Sequence, residues 1–336
     1  VKREREELEE FKSVLLACGS LERRKGDEDE LSREKRVMGI DEDPQDKLVC
    51  VTNGVSYPGL ALVRQLVIRG YSVRLMVHKQ EDMEKLREME TTGETGGVNN
   101  RVEAVMGNLD EIEALAAAFN GCRGVFHTSA SADPSGLSGY SVSSILKKYS
   151  DTYSSSSMSL WWKSMAEMEV RSSENVIEAS ARTPSVRKCV LTYSLLACIS
   201  RENKSCDLTP VINHGCWSDE QLCTQRRGNA GAGDMHANCL LATADVGRLA
   251  EAHICVMEAL GSTESGRYIC YDRIVETQDE AGKLARDLGM PTHKISRHTT
   301  GTSRQSRFQL SKVKLNRPVP KTMRGWHGEC CTGFLP

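Results

Sequence analysis

From Lys47 onward, short β-branched apolar runs alternate with longer stretches whose apolar residues recur every three to four positions. "KLVCVT" (47–52) predicts a buried strand, and "PGLALVRQLVIRG" (58–70) a helix closed by Gly70. "YSVRLMV" predicts a second strand and "EDMEKLREME" a helix; "RVEAVMG" a third strand, "LDEIEALAAAFNG" a helix closed by Gly121, and "RGVFHTS" a fourth strand. "MAEMEVRSSENVIEASAR" supplies the next helix and "VRKCVLTYS" the fifth strand. Strands separated by helices of this length imply right-handed βαβ units. The expected class is therefore α/β, a doubly wound parallel sheet.

The pattern fails on both sides of this block. Residues 1–46 are mostly charge; Leu8, Phe11, Leu15 and Cys18 fall on a helical stripe, but two heptads are too few for a coiled coil. A frayed helix or solvated tail is expected there. "SVSSILKKYSDTYSSSSMSLWW" (141–162) is serine-rich and without clear period, the composition of a surface loop or disordered insert. Its Trp161 and Trp162 either pack onto the domain or form an exposed patch. Residues 201–238 hold no run of four apolar residues that could make a buried parallel strand. Helix is expected again at "LLATADVGRLAEAHICVMEAL", strand at "GRYICY" and helix at "TQDEAGKLARDLG", before a polar tail from His298. The divisions are thus a charged tail (1–46), an α/β domain with the serine-rich insert (47–205), and a second domain with its tail (206–336).

Composition narrows the class of partner. At 336 residues the chain is ample for a buried core, and its net charge of −2 gives no global reason to expect nucleic acid or an anionic membrane surface. No run approaches the ~18 apolar residues of a membrane span. Thirteen cysteines form no CxxC pair, so neither zinc spacing nor a disulfide framework is expected; buried, reduced thiols in a cytoplasmic protein are. The chain starts at Val1 rather than Met, which leaves a targeting segment open.

Candidate chemistry begins at "VTNGVSYPG" (51–59), a turn between the first strand and the first helix. Such a turn carries three glycines in a dinucleotide fold: for the tight bend, for close approach of the pyrophosphate and for helix packing. The anion then meets the helix N-terminus. Here Asn53, Ser56 and Gly59 stand at the three places, with Gly54 beside the first. Asn tolerates left-handed backbone, whereas the Cβ of Ser56 intrudes at closest approach, though its hydroxyl could bond phosphate. Weakened binding is expected, on the order of 1–3 kcal/mol if the backbone is strained.

The words around the turn carry a resemblance. "KLVCVT…LVRQLVIRGYSVRLMV", "GCRGVFHTSA", "ENVIEASA…VRKCVLTYS", "CWSDEQLC" and "DVGRLAEAHICVMEA…GRYIC" occur in order over roughly residues 47–315. Together they resemble the cinnamoyl-CoA reductase and dihydroflavonol reductase group of plant extended short-chain dehydrogenases, most of all its cinnamoyl-CoA reductase-like members. The resemblance implies a Rossmann-type domain, a truncated C-terminal substrate domain, a small phenylpropanoid-type substrate, and reduction of a carbonyl or acyl-CoA with NADP. It places Thr52, Asn53, Gly54, Ser56, Tyr57 and Gly59 at the pyrophosphate, and Asn108 with Leu109 at the adenine. Thr128, Ser129 and Ala130 would pass the nicotinamide ribose, and Asn175 and Ser194 match the active-site asparagine and serine. His78 and Lys79 stand where a basic residue meets the 2′-phosphate, and no acid is there to bind a free ribose hydroxyl, so NADP is favoured over NAD. Without the resemblance, Asn175 reads as a helix residue bonding backbone and Ser194 as a strand end. His127 and His253 read as core-edge histidines, and the Cys223 region as a surface loop.

One requirement of this chemistry is absent. The family's general acid is a tyrosine whose pKa is lowered by a lysine four residues on, one helical turn away. The eight tyrosines, at 57, 71, 140, 149, 153, 193, 268 and 271, are followed four later by Ala61, Leu75, Ser144, Tyr153, Ser157, Ala197, Asp272 and Val275. "CWSDEQLCTQRR" is where the family runs on into its tyrosine helix; here the text jumps through "GNAGAG" to "DMHANCLLATADV". One contiguous block is missing and the serine-rich insert is added, a pattern that an altered splice or gene model explains better than point mutation. The expected function is therefore an NADP-dependent reductase by family with a damaged active site. A non-enzymatic nucleotide-binding or interaction protein, or the product of an aberrant transcript, stays open beside it.

Overall fold

The computed structural model describes residues 47–54, 56–78, 80, 83, 101–128, 155–199, 210–218, 232–261, 265–288, 291–296 and 308–319. The charged tail, most of the "EDMEKLREME" segment, the first part of the serine-rich insert, Cys223 and the end of the polar tail lie outside these residues. The chain divides into two compact units, residues 1–130 with 169–192, and residues 131–168 with 193–336.

The first unit is a five-stranded sheet. Strand β1 (Leu48–Thr52) leads into α1 (Tyr57–Ile68), then β2 (Ser72–Val77), β3 (Val102–Met106), α2 (Ile112–Phe119), β4 (Gly124–His127), α3 (Ser155–Arg182, in this unit from Glu169) and β5 (Lys188–Leu191). The strand order is β3-β2-β1-β4-β5, and each neighbouring pair is parallel. All five expected strands form, for the reason the pattern gave: runs such as Val49–Thr52 and Val125–His127 are buried residue after residue, as a parallel sheet covered on both faces demands. Alternation sends Cys50, Met76 and Val125 to one face, where they join Leu115, Ala118 and Phe119 of α2 and Val176 and Ala179 of α3 in one apolar cluster. Val49, Val51, Leu75 and Phe126 take the opposite parity and are equally buried. Gly70 and Gly121 take φ of +80° and +78° just past the ends of α1 and α2, as their positions in the sequence suggest.

Arg74 fastens one side of this sheet. Its Nε bonds Glu103 of β3 at 3.0 Å, and its Nη1 donates to the Ala118 and Asn120 carbonyls at the C-terminal end of α2, at 2.9 and 2.7 Å. Those carbonyls have no partner within the helix, and a guanidinium there also complements its dipole. At the other side, no strand pairs beyond β5 among the described residues.

Helix α3 is longer than its apolar pattern suggests. It starts at Ser155, so the last part of the serine-rich segment, including Trp161 and Trp162, continues a helix instead of forming a loop. A serine run lacks period without forbidding helix, and the strongly patterned second half propagates backward.

The second unit holds α4 (Leu196–Ile199), β6 (Val211–Ile212), α5 (Ala232–Ala237), β7 (Ala242–Thr243), α6 (Val246–Ala259), β8 (Arg273–Ile274), α7 (Gln278–Asp287), α8 (Thr292–Ile295) and β9 (Gln309–Leu310). Two expectations are corrected here. "LLATADV" is not helix: Ala242–Thr243 pairs antiparallel with Arg273–Ile274, and α6 begins only after Asp245, whose side chain caps the Arg248 N–H at 3.0 Å. "GRYICY" makes no ladder. Side chains hold it instead: Arg267 lies 3.4 Å from the Trp217 ring centroid, and the Tyr271 hydroxyl donates to Leu310 O at 2.9 Å. The helix at Gln278–Asp287 forms as expected, with Thr277 and Glu280 in a reciprocal capping box.

The eight cysteines among the described residues are all free, and six are buried. Burial pushes the Cys122, Cys189 and Cys198 thiols up to about 11 and Cys270 to about 12, which keeps them protonated and unreactive. Among the described residues no helix is long and apolar enough to cross a membrane, and no cluster of ligating side chains suits a metal.

Phe119 is fully buried at the meeting of α2, α3 and the sheet, so Phe119→Ala is expected to lower the stability of this unit by about 3–5 kcal/mol, read from urea unfolding. A loss under about 1 kcal/mol would contradict this packing.

Candidate functional site

The strand order reverses between β1 and β4, and in open α/β sheets ligands bind outside the carboxyl ends of the strands at such a point. The turn after β1 lies there. Asn53 takes φ +52°, the left-handed region that a glycine normally occupies. Ser56, at the second glycine place, has an ordinary extended backbone with φ −73° and ψ 160°. The strain that the sequence suggested at Ser56 is therefore absent; the constraint sits on Asn53. Ser56 acts instead as the N-cap of α1, its Oγ accepting from the Gly59 N–H at 3.2 Å, with Tyr57 as the first helical residue and Pro58 following.

Gly59 is required where it stands. A Cβ there would lie 2.5 Å from the Asn53 carbonyl oxygen and 2.8 Å from the Gly54 Cα, both backbone atoms that cannot swing away. At Gly54 a Cβ would fall 1.8 Å from Leu75 Cδ1, a side-chain atom that would have to move aside. The tight packing of helix start on strand end, the property the third glycine serves, is thus kept. This cradle fits a dinucleotide pyrophosphate, though the Ser56 cap and Pro58 leave fewer open N–H donors than three glycines would.

The side chains behind the turn form one connected set. Asn53 Nδ2 donates to Thr128 O at 2.9 Å, and Thr128 Oγ1 donates to Thr52 O at 3.0 Å. His78 Nε2 lies 2.5 Å from Asn53 Oδ1, and its Nδ1 lies 2.8 Å from Gly107 O. Thr52 Oγ1 lies 2.7 Å from His127 Nδ1. Thr52, Asn53, Gly54, Ser56, Gly59, His78 and Thr128 are therefore brought together at one edge. Asn108 braces the loop before α2, accepting from the Asp110 N–H at 3.1 Å and donating to Glu111 Oε1 at 3.0 Å. Lys79, Ser129 and Ala130 lie outside the described residues.

Of the two residues matched to the active site, one lies in each compact unit. Asn175 donates through Nδ2 to Leu109 O at 2.9 Å, tying α3 to the loop after β3, the backbone-bonding role that its sequence position allowed. Ser194 belongs to the second unit, in the turn before α4, where its carbonyl accepts from the Ala197 N–H at 3.1 Å.

His127 is the buried titratable group of this edge. Its Nε2 has no hydrogen-bond partner, and the same holds for buried Glu169 Oε1 and Ser173 Oγ, one turn apart on α3. Desolvation lowers the imidazole pKa, with the Glu169 carboxylate opposing and His78 adding to the shift. The hydrogen bonds of His78 had no signal in the sequence, because they join strand ends that lie 25 and 29 positions apart. The cap at Ser56 did have one: a serine directly before Tyr-Pro at a helix start.

No protein-family model matches the chain. It is 30% identical to cinnamoyl-CoA reductase 2 of Arabidopsis thaliana over 181 residues, 53% of this chain and 43% of that protein. It is 25% identical to cinnamoyl-CoA reductase 1 of Petunia hybrida over 326 residues, 80% of this chain and 86% of that protein. Among solved structures, vestitone reductase from alfalfa aligns at 17% identity with a TM-score of 0.48, covering 81% of this chain and 91% of that one. The chain spans less than half the length of the first curated relatives it matches, with 43% of each covered. The sheet order defines a Rossmann-type fold. In sequence the chain is similar to plant cinnamoyl-CoA reductases.

Because burial lowers the folded pKa of His127, unfolding takes up protons once the pH falls below the unfolded value near ~6.5. The stability tied to a neutral His127 is present above that pH and is lost as the pH falls through the folded pKa. Urea unfolding at pH 7 and pH 5 is expected to show a smaller acid loss in His127→Gln than in the parent. Equal pH slopes would contradict the buried, neutral imidazole.

Proposed function

We propose that this chain is an NADP-binding reductase by descent that holds its dinucleotide at the carboxyl edge of the sheet and has lost most of its catalytic power. The observation that carries the binding half is the turn from Thr52 to Gly59, closed by a glycine that admits no side chain. Thr52, Asn53, Gly54, Ser56 and Gly59 would receive the pyrophosphate, Asn108 and Leu109 the adenine, and Thr128 the nicotinamide side. NADP over NAD rests on the basic Lys79 that follows His78, and on the absence of an acid at the end of β2. The relatives are named for cinnamoyl-CoA and vestitone reduction, which supports a phenylpropanoid-type carbonyl or acyl-CoA substrate.

When bound, NADP would supply the hydride. The carbonyl oxygen would then need a proton, and none of the eight tyrosines is followed four positions later by lysine. A serine such as Ser194 polarises a carbonyl but donates a proton poorly at neutral pH. Asn175 already commits its amide nitrogen to Leu109. General acid catalysis is typically worth ~10²–10⁴ in rate, and the lysine that would grip the ribose is missing with the phenol.

A second reading follows from the same absence: nucleotide binding without turnover, in an interaction role. Steady-state assays with NADPH and hydroxycinnamoyl-CoA or simple aldehydes are expected to give below ~1% of the turnover of an intact relative. Repeated turnover at a comparable rate would refute the impaired-reductase reading.

A further inference from the structure

We infer that His78 is a positioning residue, one that holds the cofactor turn through Asn53 instead of gripping the ribose phosphate. The inference rests on the cofactor site proposed above. The ring is exposed at the end of β2, yet both of its nitrogens face protein oxygens: Nδ1 meets Gly107 O at 2.8 Å and Nε2 meets Asn53 Oδ1 at 2.5 Å. The Asn53 amide nitrogen donates to the Thr128 carbonyl at 2.9 Å, and this orients the amide oxygen toward the ring. An imidazole has two polar atoms and no third. A hydrogen bond to an arriving phosphate would have to displace one of these partners.

The bond to Asn53 is the consequential one. A glycine takes φ near +50° at little cost, whereas a residue with a Cβ is held there by its surroundings. Asn53 has φ +52° and is tethered from two sides, to Thr128 after β4 and to His78 after β2. His78 in turn faces Gly107 O after β3, so four strand ends are linked through one amide and one imidazole. The carbonyl of Asn53 is also the atom against which Gly59 packs, and it accepts the Ser56 N–H at 3.0 Å. Loosening Asn53 therefore disturbs the turn itself. That turn serves the pyrophosphate, which NADP and NAD share, and not the 2′-phosphate that separates them.

The test is equilibrium binding of NADPH and of NADH to the full chain, by calorimetry, for the parent, His78→Ala, Asn53→Gly and the double variant. His78→Ala is expected to weaken both dinucleotides by the same factor, roughly 3- to 10-fold, the effect of one lost hydrogen bond. In the Asn53→Gly background, where the turn needs no tether, the same substitution should change either affinity by less than ~2-fold. A loss confined to NADPH would make His78 a phosphate contact and overturn the inference, as would no loss at all or an equal loss in both backgrounds. A parent chain that binds neither dinucleotide would overturn the cofactor reading and this inference with it, a result distinct from a loss confined to NADPH. Should His78→Ala fail to fold, His78→Gln serves in its place, since a glutamine cannot span both Gly107 and Asn53 as the ring does.

Discussion

Asn53 directly follows strand β1, with its backbone in the left-handed region and its amide bonded across the sheet in both directions, to Thr128 after β4 and to His78 after β2. These bonds are made at the topological switch point, where a ligand's anionic centre would come to rest. A glycine would leave this edge to the backbone alone. With asparagine the conformation is purchased with side-chain hydrogen bonds, and the edge becomes a braced structure whose parts depend on one another. Gly59 completes it by allowing the first turn of α1 to lie against the Asn53 carbonyl. The altered turn is therefore a rebuilt cradle.

Asn175 spends its amide on Leu109, and Ser194 stands in a different compact unit. His127, the one deeply buried imidazole beside the turn, is held neutral by desolvation and faces the interior, with unpartnered Glu169 and Ser173 atoms on α3. Nothing in this set matches a phenol with a lowered pKa beside an ammonium.

The sheet could be read from the chain because a parallel strand covered on both faces leaves an unbroken apolar signature. Val49–Thr52 and Val125–His127 are buried at every position. Where structure rests on two-residue ladders the signature vanishes: Val211–Ile212 and Ala242–Thr243 are too short to show a period, and "GRYICY" is apolar for side-chain packing and not for pairing. The serine-rich approach to α3 shows the converse, helix without an apolar period. In the site, Gly59 and the helix start were legible, since their signals lie within nine residues. The bonds of Asn53 to His78 and Thr128 were not, because they join positions 25 and 75 apart that only the strand order brings together.

The most direct test of the account is a calorimetric titration of the chain with NADPH, run beside Gly59→Ala. The account predicts saturable one-to-one binding by the parent and at least a tenfold loss in the variant, since the added Cβ would lie 2.5 Å from the Asn53 carbonyl oxygen and force the turn apart. Absence of saturable binding by a folded parent chain, or binding that Gly59→Ala leaves untouched, would contradict it.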